Sequence, residues 1–162
     1  MTKPARLLVI AGSDSSGGAG IQADIKTATA LGAYAMTAIT SVTVQNTQGV
    51  HAIHPIPVNI VRAQIVSALE DIGADAIKIG MLGSSEVVEA VAQTLITHAR
   101  NIPLVVDPVM EAKGGAALLE DEAANTLMVS LFPMATLITP NVPEAARLTG
   151  LPIETVADCA QA

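Results

Sequence analysis

The sequence is poor in the residues that most often anchor a core or mark a function class. Among 162 residues there is no Trp, one Tyr, one Phe and one Cys. The single cysteine, Cys159, excludes an internal disulfide framework and a multi-cysteine metal centre. Charged residues make up only 14%, with 8 Lys and Arg against 15 Asp and Glu. A formal charge of −7 and the lack of any basic cluster argue against nucleic acid as a partner. No apolar run is long enough to span a bilayer, so no membrane partner is expected. Met1 to Arg6 lead into a short strand-like run rather than the longer apolar stretch of a signal peptide. A cytoplasmic location is the expectation.

What remains is aliphatic. Hydrophobic residues are 51% of the chain, and with so few aromatics the core has to be built from Ala, Val, Ile and Leu. That mixture suits a buried parallel sheet covered by Ala-rich helices. Short apolar runs alternate with longer amphipathic ones. Strands are expected over Arg6–Ala11, Ala35–Gln45, Ala76–Ile79, Leu104–Asp107 and Thr136–Thr139. Helices are expected over Gly20–Leu31, Val58–Ile72, Ser85–Ala99, Glu120–Leu131 and Val142–Leu148. In the second helix Ile60, Val61, Ile65, Ala68, Leu69 and Ile72 recur at helical spacing. This order implies one α/β domain with a mostly parallel central sheet flanked by helices.

Polar residues gather where the strands end. Gly12-Ser13-Asp14-Ser15-Ser16-Gly17-Gly18-Ala19-Gly20 follows the first strand and opens a helix, the place where α/β proteins hold small anionic or polar ligands. Gly12 and Gly17 have P-loop spacing, but Gly18 and Ala19 stand where Lys and Ser or Thr are required. Gly18-Ala19-Gly20-Ile21-Gln22-Ala23 fits the dinucleotide pattern, yet Gln45 and Asn46 replace the acidic residue expected after strand two. In a parallel sheet all these strand tips share one edge, so their residues converge on one crevice.

Each candidate in the crevice has a functional and a structural reading. Asp24, placed in the first helical turn, suits a polar ligand or simply the helix dipole. The Gln45 amide both donates and accepts, which fits an amino group beside a heteroaromatic nitrogen, or a strand-end turn. Asp107 is a hard oxygen ligand for Mg²⁺, or a cap at Asp-Pro. Asn141 and Glu144, three apart at a helix start, face the crevice together or form an N-cap with an acidic first turn. Asp75 and Lys78 read as a pair flanking a strand. His51 and His54 fall in a Pro-bearing loop and His98 near a helix end, none at useful metal-ligand spacing.

Five segments in register carry a resemblance. Ala11-Gly12-Ser13-Asp14-Ser15-Ser16-Gly17-Gly18-Ala19-Gly20-Ile21-Gln22-Ala23-Asp24-Ile25-Lys26-Thr27 closely resembles the opening of the hydroxymethylpyrimidine/phosphomethylpyrimidine kinases of thiamine biosynthesis. So do Val44-Gln45-Asn46-Thr47-Gln48-Gly49-Val50, Lys78-Ile79-Gly80-Met81-Leu82 and Val106-Asp107-Pro108-Val109-Met110. Ile138-Thr139-Pro140-Asn141-Val142-Pro143-Glu144-Ala145 resembles the same family and the wider ribokinase-like group.

The resemblance implies a ribokinase-like fold and an ATP- and Mg²⁺-dependent kinase. Its substrates would be 4-amino-5-hydroxymethyl-2-methylpyrimidine and then the monophosphate. It implies that Gln45 pairs with the aminopyrimidine edge, that Gly12 and Asp24 line the pocket, and that Met81 packs on the ring with Val109 nearby. Asp107, Asn141 and Glu144 would order the Mg²⁺ and phosphates. It also makes a homodimer the assembly to test.

Glu111 and Gly114 stand where the family usually has an apolar residue and a serine. Family members also continue well past Leu151, with an anion hole, the residue that activates the hydroxyl and most of the adenine pocket. No catalytic residue is therefore identified in this sequence. The expectation is a chain lacking its C-terminal portion, impaired by itself in phosphate transfer, with an exposed apolar edge or face. The competing readings are a pyridoxine/pyridoxal kinase, a non-catalytic ligand-binding domain and, more distantly, a Rossmann oxidoreductase.

Overall fold

Leu7 to Ala11 is a continuous apolar run, the pattern of a strand covered on both faces, and it lies in the central strand β1, Arg6–Asp14. The computed structural model describes residues 3–111 and 118–161. After β1 come α1 (Gly20–Ala30), β2 (Tyr34–Asn46), β3 (Gly49–Pro55), α2 (Val58–Asp71), β4 (Ala76–Ile79), α3 (Ser85–His98) and β5 (Leu104–Val106). Then follow α4 (Asp121–Ser130), a 3-10 turn (Phe132–Met134), β6 (Leu137–Ile138), α5 (Val142–Thr149) and α6 (Val156–Cys159).

The six strands form one sheet in the order β3-β2-β1-β4-β5-β6. All neighbouring pairs are parallel except β2 and β3. The expected α/β class with a mostly parallel sheet is therefore the observed one. Alternation along the strands sorts the core. Leu8, Ile10, Ile77 and Ile79 meet Val61 and Ile65 of α2, Val88, Val91 and Leu95 of α3 and Leu127 of α4. Val9 and Ala11 point to the other face, where Ile21 of α1 covers them. Beyond α1 that face is thinner, and Leu137 on the edge strand β6 is 55% exposed.

Several features depart from the sequence reading, beyond element ends that differ by a residue. β1 continues to Asp14, so Gly12 sits in a strand, with a register shift between Ala11 and Ser13. The fourth residue after Gly20 is already in the second turn of α1, so Asp24 lies beyond the first-turn amides that the helix dipole acts through. The segment carrying His51 and His54 is not a loop but strand β3, which pairs antiparallel with β2 from Ser41↔Pro55 to Asn46↔Gly49. Asn46 Oδ1 accepts from the Gln48 N–H at 2.9 Å and closes that hairpin. Gly114 lies outside the described residues. Glu111 does not, and its Oε1 stands 3.7 Å from Arg147 Nη1. The short helix α6 is capped by the Thr155 hydroxyl, which accepts from the Asp158 N–H.

Candidate active site at the strand tips

The glycine-rich loop is organised around its own aspartate. Asp14 is only 3% exposed. Its Oδ1 accepts from Ser16 N–H at 2.8 Å, and its Oδ2 from Gly18 N–H at 3.0 Å and Ala19 N–H at 2.8 Å. The Ser16 hydroxyl joins them at 2.8 and 2.9 Å. Burial by itself would raise this carboxyl's pKa, but the hydrogen bonds from Ser16, Ala19 and Gly18 outweigh it and hold the pKa below the usual value. The amides expected to meet an anionic ligand thus already hold an anion supplied by the chain. Gln22 completes the enclosure, its Oε1 accepting from Asp14 N–H at 2.8 Å.

The loop in turn holds Gln45. Ser15 Oγ donates to the Gln45 carbonyl at 2.8 Å and accepts from the Gln45 N–H at 2.9 Å. The Thr43 hydroxyl lies 3.0 Å from the Ser13 carbonyl and 3.1 Å from Gln45 Oε1. The Gln45 backbone is therefore clamped and its half-buried side chain oriented. Gly12 and Met81 meet nearby. A Cβ at Gly12 would stand 3.0 Å from Ser41 Oγ and 3.1 Å from Met81 Sδ, so a side chain there would press on both. Thr40 Oγ1 donates to the Met81 carbonyl at 2.7 Å and fixes the buried residue.

The carboxylates are gathered by a residue that the sequence reading placed elsewhere. Asp75 does not pair with Lys78. It is clamped by Arg6, whose Nη2 stands 2.7 Å from Oδ1, and this side-chain hydrogen bond is the first cause holding its carboxyl at about 2. Lys78 Nζ instead reaches Asp24 Oδ2 at 3.0 Å and Asp107 Oδ2 at 3.5 Å. A lysine inside an otherwise apolar strand, Ala76-Ile77-Lys78-Ile79, was the available signal, because a half-buried ammonium needs partners.

Beyond β5 the chain turns at Asp107-Pro108-Val109-Met110, with Val109 N–H donating to the Asp107 carbonyl at 2.8 Å. Val109 is half-buried. The Met110 N–H donates to Glu144 Oε1 at 3.4 Å. Glu144 is 7% exposed, and its Oε2 accepts from Asn141 N–H at 2.9 Å while Asn141 Oδ1 accepts from Glu144 N–H at 2.9 Å. This reciprocal pair is a capping box that starts α5 and ties it to the Asp107 turn. Among the described residues no group of three or more His, Cys, Asp or Glu side chains is placed to hold a metal. A cavity of about 500 Å³ is lined by Ile138, Pro140 and Asn141 at the end of β6 together with Phe132, Leu148 and Cys159.

The family model for phosphomethylpyrimidine kinase matches residues 14–162. The chain belongs to that family. Over 153 residues it is 52% identical to the hydroxymethylpyrimidine/phosphomethylpyrimidine kinase of Bacillus subtilis strain 168, an alignment covering 94% of this chain and 56% of that protein. The chain thus spans about half the length of the curated relatives it matches. The crystal structure of phosphomethylpyrimidine kinase from Clostridium difficile 630 is similar with a TM-score of 0.89 at 47% identity, over 97% of this chain and 68% of that one. A pyridoxal kinase from Staphylococcus aureus in complex with pyridoxal is similar at 0.87 and 36% identity, over 99% of this chain and 59% of that one. As a member of the phosphomethylpyrimidine kinase family, the chain has the ribokinase-like fold that the resemblance implies. No helix among the described residues is long and apolar enough to cross a membrane.

Proposed function

We propose that this chain carries the pyrimidine pocket and the magnesium-facing edge of an ATP-dependent kinase of thiamine diphosphate biosynthesis. The kinase phosphorylates 4-amino-5-hydroxymethyl-2-methylpyrimidine on its hydroxyl and then phosphorylates the monophosphate. The observation that carries the reading is the convergence at one sheet edge of an oriented amide, Gln45, with two carboxylates, Asp24 and Asp107, held on one ammonium. Gln45 supplies a donor and an acceptor to the aminopyrimidine edge. Gly12, Met81 and Val109 form the apolar wall for the ring, and Asp24 the polar wall beside it.

The donor set fits Mg²⁺ in part. Asp107 is one-third exposed and offers carboxylate oxygen at a strand tip. Glu144 and Asn141 spend their side-chain oxygens on backbone N–H groups. Mg²⁺ keeps several waters and takes few protein ligands alongside substrate phosphates, so Asp107 with ATP oxygens suffices. Glu144 and Asn141 then act by holding the Asp107 turn in place. The ion would neutralise phosphate charge during transfer.

We further propose that the chain by itself transfers phosphate poorly, and that a homodimer is its assembly. Incubation with the hydroxymethylpyrimidine and Mg-ATP, read by mass spectrometry, tests turnover: abundant mono- and diphosphate products would remove the first of these two statements. Replacing Gln45 with alanine is expected to weaken pyrimidine binding by about 1–3 kcal/mol, because one polar edge of the ring loses its partner. Unchanged affinity in a calorimetric titration would reduce Gln45 to a hairpin residue. A pyridoxal reading is favoured by the likeness to the Staphylococcus aureus kinase. Competition between pyridoxal and the pyrimidine separates the two: the pyrimidine is expected to bind more tightly.

A further inference from the structure

Lys78 is the one charged residue of β4. Its ladder neighbours are Val9 on β1 and Val105 on β5, so its stem crosses apolar surface before its head reaches the strand tips. The ammonium sits between carboxylates delivered by two different elements, Asp24 from α1 and Asp107 from the end of β5. Side-chain exposures of 23% for Lys78, 22% for Asp24 and 33% for Asp107 keep the trio partly out of water. Gly80 leaves the space for it, since a Cβ there would stand 3.2 Å from Lys78 Nζ. Two carboxylates sharing one ammonium repel each other as soon as that charge is removed.

We propose that Lys78 is a positioning residue of the kinase site, whose ammonium holds the Asp24 carboxylate of the pyrimidine end against the Asp107 carboxylate of the metal end. The proposal rests on the function proposed above, which gives Asp24 to the pyrimidine and Asp107 to Mg²⁺. One side chain thereby sets the relation between two subsites that belong to different parts of the fold. Removing its charge lets the carboxylates part and disturbs both ends together. A divalent cation, which also bridges two oxygen ligands, can stand in for the lost ammonium. That substitution distinguishes positioning by charge from a role in packing alone.

The test compares the wild-type chain with Lys78→Met and Lys78→Arg. Calorimetric titration with 4-amino-5-hydroxymethyl-2-methylpyrimidine is run in EDTA and again in excess Mg²⁺, with urea melts as the control for folding. In EDTA, Lys78→Met is expected to bind about tenfold more weakly, a coupling usual for neighbours that share partners. Excess Mg²⁺ restores most of that loss in Lys78→Met and changes the wild type by less than about twofold, while Lys78→Arg stays near wild type. Equal affinity of Lys78→Met and wild type in EDTA overturns the proposal, and so does a loss that Mg²⁺ leaves untouched.

A second arm needs no pyrimidine. Mn²⁺ binding followed by electron paramagnetic resonance is expected to be about tenfold tighter in Lys78→Met than in the wild type. Adding Asp24→Asn abolishes the gain. Unchanged Mn²⁺ affinity overturns the proposal whether or not the pyrimidine binds. A wild-type chain that ignores the pyrimidine, together with tighter Mn²⁺ binding by Lys78→Met, supports the ordering of the carboxylates and removes the substrate reading instead. Lys78→Gln carries both arms if the methionine variant does not fold.

Discussion

Replacing Gly20 with alanine is expected to destabilise the chain by about 3–5 kcal/mol, a large share of the stability of a domain of this size. Two separate costs add. Gly20 has φ +56°, a conformation that side chains resist. A Cβ built there would also fall well inside contact distance of the Gly12 carbonyl oxygen, with the Asp14 nitrogen only 3.3 Å away. Those atoms are backbone of the central strand, so no rotamer change can relieve the clash. The first helix would have to lift from β1, taking Ile21 from Val9 and Ala11 and Asp24 from Lys78. Urea unfolding followed by circular dichroism measures the loss. A change below about 1 kcal/mol would mean that the loop can shift as a unit.

Replacing Asp14 with alanine is expected to cost about 2–4 kcal/mol, because three amide donors and the Ser16 hydroxyl lose a charged acceptor. The lower bound reflects the exposure of Ser16, Gly18 and Ala19, whose N–H groups can turn to water. The same carboxylate has a signature in pH. Its folded pKa lies below the unfolded value of 3.8. Its contribution is therefore complete above that value and is lost as pH falls through the lower folded pKa. Asp75 and Asp158 are shifted in the same direction, so the wild type is compared with Asp14→Asn rather than read alone. The stability difference between the two should be constant near neutrality and shrink below pH 3.8. A difference independent of pH in that range would show that the Asp14 charge contributes nothing.

Both predictions concern a loop whose place was legible in the sequence and whose internal use was not. The apolar run before it and the helix after it follow from local pattern, and both are present. Which partner takes the loop amides depends on whether Asp14, at the end of a strand that continues past Ala11, can turn back onto them. The hairpin shows the same limit. β3 is exposed along most of its length and carries two histidines and a proline, so no buried face imposes an alternation to read. It exists because β2 runs on to Asn46 and offers it a ladder. In the sequence Asn141 and Glu144 suit both a site and a helix cap. The hydrogen bonds show the cap, and they also tie it to the turn that presents Asp107.

Local chemistry settled what can be written along the chain: strands from apolar runs, helices from their period, and polar residues placed at the parallel strand tips. The sequence by itself therefore determined the α/β class and five motifs that point to the phosphomethylpyrimidine kinase family. Only the tertiary structure decided the pairing of charges. Asp75 lies three residues from Lys78 yet faces Arg6 on another strand, while Lys78 meets Asp24 and Asp107 from distant parts of the chain. The reason is geometric. Sequence spacing places two residues on a strand, but the side chain's partner is set by which helix covers that face and which strand lies beside it, and those are long-range facts of packing.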